Sequence, residues 1–163
     1  MGRADYKGSW ARNSPDWLVE SAASVGANNP GVTGLNCVTD LYNDTTGTQY
    51  LHVYELYLQN TGTFSCSIQH VQGNCGGVTG PAYPVVIGAA TPPGLLCINQ
   101  LASIDRPNTD PYISSVNTPA IDIMKPPGPL CVIAPGFSLR VANRQTAFGF
   151  IVWFYYLVKP NTR

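Results

Sequence analysis

Few side chains in this 163-residue chain are of types that carry out chemistry, and their spacing limits what they could do. There are two histidines, His52 and His70. Both lie in alternating apolar and polar runs, which places them on neighbouring strands, facing one another across a hairpin. Such a pair could titrate near neutral pH or ligate a metal. Zinc needs three or four ligands, and no third is evident here, so a structural cross-strand pair is the plainer expectation. The carboxylates Asp40, Asp44, Glu55, Asp105, Asp110 and Asp122 are scattered, whereas a glycosidase needs two of them across one cleft. No GxSxG elbow is present. The glycines at 73, 76, 77 and 80 lack the Lys-Ser/Thr ending of a phosphate loop. No catalytic residue, metal-ligand set or cofactor is assigned, and the chain is not expected to be an enzyme.

The five cysteines are an odd number, so at least one stays unpaired within the chain. They lack the close CxxC pairs of a zinc site. Cys37, Cys66, Cys97 and Cys131 sit in apolar, strand-like runs and are expected as buried thiols. Cys75, in QGNCGG, is the most exposed and the one open to a disulfide, within the chain or between subunits. Tyrosines are the other lead. Tyr50, Tyr54, Tyr57, Tyr83, Tyr112, Tyr155 and Tyr156 could form a sugar-stacking platform, although strand aromatics more often pack in a core.

Charged residues are only 11% of the chain, with nine basic and nine acidic side chains and no net charge. A nucleic-acid binder needs a basic stripe to neutralise phosphates, so nucleic acid is not expected as a partner. So sparse a charge fits a surface covered by neighbours. It fits equally one made polar by Ser, Thr, Asn and Gln. The most apolar run, residues 148–158, is too short for a membrane helix, and no membrane association is expected. The first twenty residues have no apolar core of the kind a secretory signal needs, so the chain is expected to stay in the cytoplasm where it is made.

The elements that would position these side chains are strands. Sixteen glycines and fourteen prolines, spread along the chain, suit many turns between short strands. Residues 49–58 alternate, with Tyr50, His52, Tyr54, Leu56 and Leu58 on one face and Leu51, Val53, Glu55 and Tyr57 on the other. A turn at 60–62 leads to a returning strand over 63–71. Further strands are predicted at 35–41, 84–87, 95–99, 120–124, 130–133, 137–141 and 147–158. The long span 101–118 is read as an external or end-crossing loop. The result is a mainly β domain, an antiparallel β-sandwich of jelly-roll type over residues 35–163, with an extended N-terminal arm over 1–34. A short helix is predicted from Pro15, capped by Ser14.

The last third carries a family resemblance. Ala134-Pro135-Gly136-Phe137-Ser138-Leu139-Arg140-Val141, followed by the aromatic strand over 147–158, resembles the ending of small jelly-roll proteins in tailed-phage virions. Residues 43–58 resemble the turn and strand that enter their core. The resemblance covers about residues 35–158. It implies a virion structural protein made in the host cytoplasm, above all a capsid decoration or cement protein. Its partners would be the major capsid protein or other virion proteins, and copies of itself, a trimer being favoured. The alternatives are a tail, collar or fibre component, or a carbohydrate- or receptor-binding sandwich. The arm would reach a neighbour through Trp10, Trp17 and Leu18, and removing residues 1–30 should weaken assembly more than the sandwich.

Overall fold

A computed structural model of the chain describes residues 21–60, 66–103, 112–114, 121–124, 128–143 and 147–160. Every regular element among them is a strand: β1 (Ala22–Asn29), β2 (Asn36–Tyr42), β3 (Gln49–Asn60), β4 (Cys66–Gln72), β5 (Val78–Pro81), β6 (Tyr83–Pro84), β7 (Leu95–Leu101), β8 (Tyr112–Ser114), β9 (Ile121–Met124), β10 (Cys131–Ile133), β11 (Phe137–Asn143) and β12 (Phe150–Pro160). They form two six-stranded antiparallel sheets. The first runs β10-β3-β12-β1-β6, with β9 also on β3; the second runs β5-β7-β2-β11-β4-β8. β9 and β10 pair with successive halves of β3 and act as one interrupted strand.

With β5 to β7 set aside as an insertion, the sheets read β1-β12-β3-β9/β10 and β2-β11-β4-β8. The chain crosses between sheets at nearly every connection, and the last strand pairs with the first. That is the double Greek-key winding of a jelly roll. The expected antiparallel sandwich is therefore the fold.

The core forms where the inward residues of both sheets meet. Phe150, Val152, Phe154 and Tyr156 point inward from β12, and Leu51, Val53, Leu56 and Leu58 from β3. Leu41, Ile68, Leu139 and Val141 answer them from the second sheet. Two buried asparagines tie the framework. The Asn29 Nδ2 donates to the Val38 carbonyl at 3.0 Å and the Thr39 hydroxyl at 3.2 Å, joining the sheets. The Asn43 Nδ2 donates to the carbonyls of Gln49 and Ile133, while its Oδ1 accepts from Thr45, which fixes the loop into β3.

Several expectations change. The sandwich begins at Ala22 rather than at 35, because Ala22–Asn29 is a strand between β12 and β6, not arm. Its sequence, AASVGANN, is poor in strand formers; its small residues fit because the partner strand is bulky and aromatic. Removing residues 1–30 would thus delete a central strand. β3 and β4 do not form a hairpin: they lie in different sheets, so His52 and His70 do not face one another. His52 stands opposite Leu157 and Val132, and His70 opposite Leu139.

The alternation of β3 is also broken. Tyr155 of β12 pairs with Glu55 and Tyr156 with Val53, so Tyr54 is an extra, bulged residue. A bulge shifts the side-chain phase by one. Leu51 and Val53 before it, and Leu56 and Leu58 after it, all face the core. Of the run 84–87, only Pro84 is strand, the second residue of β6. β5 and the edge strand β8, inside the span read as a loop, were not predicted. Trp10, Trp17, Leu18 and the helix at Pro15 lie outside the described residues.

Candidate functional site

The two sheets present very different outer faces. On the second sheet, Asp40 of β2 and Arg140 of β11 are directly opposite and joined in a fork: Nε donates to Oδ1 at 2.8 Å and Nη2 to Oδ2 at 2.9 Å. The Asp40 side chain is 0% exposed and Arg140 only 13%. They are covered by a strap, residues 73–77, that runs from the end of β4 across the sheet to β5. Its Gly73 N–H donates to the Gly136 carbonyl at 2.8 Å, and the Ser138 hydroxyl donates to the Gly73 carbonyl. Farther across, the Asn99 Nδ2 donates to the Cys75 carbonyl at 2.7 Å. Gly77 sits at φ +79° with the Ile98 carbonyl oxygen 2.2 Å from where a Cβ would stand, so no other residue lets the strap lie so close.

All five cysteines are free thiols, and Cys75 is the least buried of them. The Cys75 Sγ lies 3.4 Å from the Cys97 carbonyl. Burial, and then the negative charge of Asp40, push its pKa up to about 12. Burial does the same to Cys66 and Cys131, to about 12, and with help from Asp40 raises Cys97 to about 11. Such thiols hold their protons and are poor nucleophiles. Burial lowers the pKa of both histidines, and Lys159 adds to the effect on His52.

The outer face of the first sheet is aromatic, and among the described residues no segment crosses its middle. β12 runs along its middle, and Ile151, Trp153 and Tyr155 point outward from it. Opposite Trp153 stand Tyr57 on β3 and Gly26 on β1; opposite Tyr155 stand Glu55 and Ser24, and Ser24 in turn pairs with Tyr83. Ile151 lies between Gln59 and Asn28. Aromatic rings thus alternate with carboxamide, hydroxyl and carboxylate groups. The Trp153 indole leans over β1 into the space a side chain at 26 would fill: its Cε3 is 2.0 Å from the position of a Cβ there. It remains 36% exposed, and Tyr83 is 62% exposed. The rings of Trp153 and Tyr155 are 6.4 Å apart and tilted by 35°. At one end Tyr54, Tyr155 and Val85 pack on Leu157 and Ala22, and the Lys159 ammonium donates to the Tyr54 hydroxyl at 3.1 Å.

The tyrosine platform is therefore partly assembled. Tyr54, Tyr57, Tyr83 and Tyr155 share this face, with Tyr50 beyond Lys159. Tyr156 does not: it is fully buried and its hydroxyl donates to the Pro93 carbonyl at 2.8 Å. The side chain of Tyr112 lies outside the described residues. Trp153, the centre of the face, was read only as part of an apolar run. The signal that could have found it is its phase, odd-numbered like Ile151 and Tyr155, against the inward Phe150, Val152 and Phe154.

Of the scattered carboxylates, Asp40 is held by Arg140, and the Asp44 Oδ1 accepts the Gly94 N–H at 2.9 Å. Asp105, Asp110 and the side chain of Asp122 lie outside the described residues. Among the described residues no three His, Cys, Asp or Glu side chains gather to hold a metal ion. An open hollow of about 480 Å³ beside the 88–93 loop is lined by Ser21, Gln49, Thr91 and Val158 with small residues and prolines, and holds no titratable side chain. Among the described residues no helix is long and apolar enough to cross a membrane. Comparisons with protein-family models, with curated proteins and with solved structures find no match for this chain.

Proposed function

We propose that the chain is a virion structural protein, a decoration or cement subunit that binds the capsid surface and its own copies without catalysis, metal or cofactor. The single observation that carries this reading is the jelly-roll winding, in which β1 closes on β12 and the sheets interleave early and late strands. Jelly rolls serve viral capsids and also lectins, so the support is an analogy of fold joined to the sequence resemblance over residues 35–158. The surface agrees with a role among neighbours. Charges are few, and Val78, Tyr83, Ile87, Val132 and Phe137 stand exposed as large apolar groups. The edge strands β5 and β6 carry Pro81 and Pro84, which blunt pairing between edges. At these two edges association would then run through side chains and loops rather than by adding strands.

Two measurements test the reading. Light scattering of the purified full chain should give a closed oligomer, a trimer by preference, with or without reductant, since the Cys75 thiol is held protonated. A strict monomer at the highest soluble concentration removes the self-association. Mass spectrometry of density-banded virus particles from cells carrying the native gene should find the chain in stoichiometric amount. Particles without it overturn the virion role.

A further inference from the structure

The outer face of the first sheet has the composition of a sugar site rather than of a second hydrophobic core, and we infer that it binds a neutral oligosaccharide along the line Tyr57–Trp153–Tyr155–Tyr83. This goes beyond the virion reading and does not depend on it. A pyranose ring offers an apolar C–H face and an equatorial rim of hydroxyls. It therefore needs an exposed aromatic surface with hydrogen-bonding groups beside it, which is how small-ligand sites are generally built. Here the rings of Trp153 and Tyr83 supply exposed aromatic surface. Ser24 stands beside Tyr83, and Gln59, Asn28 and Glu55 occupy neighbouring positions on the flanking rows.

Gly26 is the device that makes the platform. On β1 it is the one outward position without a side chain between Ser24 and Asn28, and the indole of Trp153 fills it. The tryptophan is thereby backed by the sheet, with its position set before any ligand arrives, which reduces the ordering a ligand must impose. The four strands β6, β1, β12 and β3 lie at a spacing of about 4.8 Å, and Tyr83 and Tyr57 are offset by two residues along them, so the two stand roughly 16 Å apart, room for a short oligosaccharide laid obliquely across the strands. Charge selects a neutral chain. The face carries Glu55 and Lys159, one of each sign, and Lys159 is engaged with Tyr54 both through the hydroxyl and over the ring at 5.6 Å. Among the described residues no cluster of cations is present on these rows to hold sulfated or carboxylated sugars.

The test uses the full chain in a Trp10→Phe, Trp17→Phe background, which leaves Trp153 as the only indole reporter. Neutral hexaoses of glucose, galactose, mannose and xylose are titrated while tryptophan emission is followed, with heparin hexasaccharide as the anionic comparison. At least one neutral hexaose should shift the emission and bind at roughly millimolar or tighter. Trp153→Ala should weaken binding measured by calorimetry about tenfold or more, and Tyr83→Ala by a smaller factor. Tyr83→Ala alters an exposed side chain and keeps the test valid should Trp153→Ala fail to fold. Failure of every neutral hexaose, preference for heparin, or unchanged binding in both variants overturns the proposal. So does a change confined to the light-scattering mass, which would make the face a contact between copies. Loss of oligomerisation in the parent chain with sugar binding intact would defeat the virion reading and leave this one standing.

Discussion

On one side of the sandwich an ion pair is sealed under a glycine-rich strap; on the other, tryptophan and tyrosine stand in solvent. Both faces belong to antiparallel sheets built on the same core, so the difference comes from what crosses them. The 73–77 strap runs over the second sheet and takes Asp40 and Arg140 out of water. Among the described residues no segment crosses the rows of Trp153 and Tyr155, and the sheet there is finished by side chains alone. The sealed face trades the solvation of two charges for one geometry. The open face keeps aromatic area available.

The largest test of this contrast is the ion pair. Arg140→Met should destabilise the fold by about 3–5 kcal/mol in denaturant melts, because Asp40 would be left charged and dry. Adding Asp40→Leu should recover most of that loss. A cost within about 0.5 kcal/mol, typical of surface positions, would mean that the strap does not seal the pair and that the faces are alike.

The next test strikes the open face. Gly26→Val should cost about 1–3 kcal/mol and quench or shift Trp153 emission, because the new side chain and the indole need the same space. The outward strand position itself tolerates valine, so an unchanged melt would show that the indole moves aside freely and that no platform is built in.

Titration gives smaller effects. His52 and His70 have lowered pKa values in the fold, so the unfolded chain binds their protons first as pH falls through the ordinary histidine range near 6.5. Stability should therefore decline from pH 7 towards pH 5, less steeply in His52→Gln. The buried thiols act at the other end. Their raised pKa values keep them protonated in the fold while the unfolded chain ionises, so stability should fall as pH rises above about 8.5. A flat profile over pH 5–10 would contradict both. The smallest effect is kinetic: at pH 8 the native chain should react with a disulfide reagent slowly, Cys75 first, and all five thiols should react at once in guanidinium.

Much of the strand content is legible in the sequence because period-two alternation survives wherever one face is buried. β2, β7, β11 and β12 fall within a few residues of their predicted places. The failures have specific causes. β1 was hidden because Ala, Ser, Gly and Asn say little about strands; its partner selects it for small size. The pairing of β3 with β4 was misjudged because neighbours in sequence usually pair, whereas jelly-roll strands cross to the other sheet. The bulge at Tyr54 left no mark, since an apolar tyrosine fits either face. The open face is half legible: its tyrosines stand out in the sequence, but Trp153 is hidden in an apolar run that does not show which of its side chains face outward. What made it outward was the phase of β12, set by pairing on both sides.

The pairing of β1 with β12 also bears on how the chain is made. A ribosome releases β1 long before β12 exists, so the first strand must wait, beside a half-built core, until nearly all the rest has emerged. Folding from the N-terminus piece by piece is closed to this topology, and closure of the first sheet is a late, long-range event. During that interval Val25, Leu51 and Leu56 have no aromatic strand to cover them. The nascent chain should thus be a substrate for holding chaperones, and stalled chains ending before residue 150 should aggregate rather than fold.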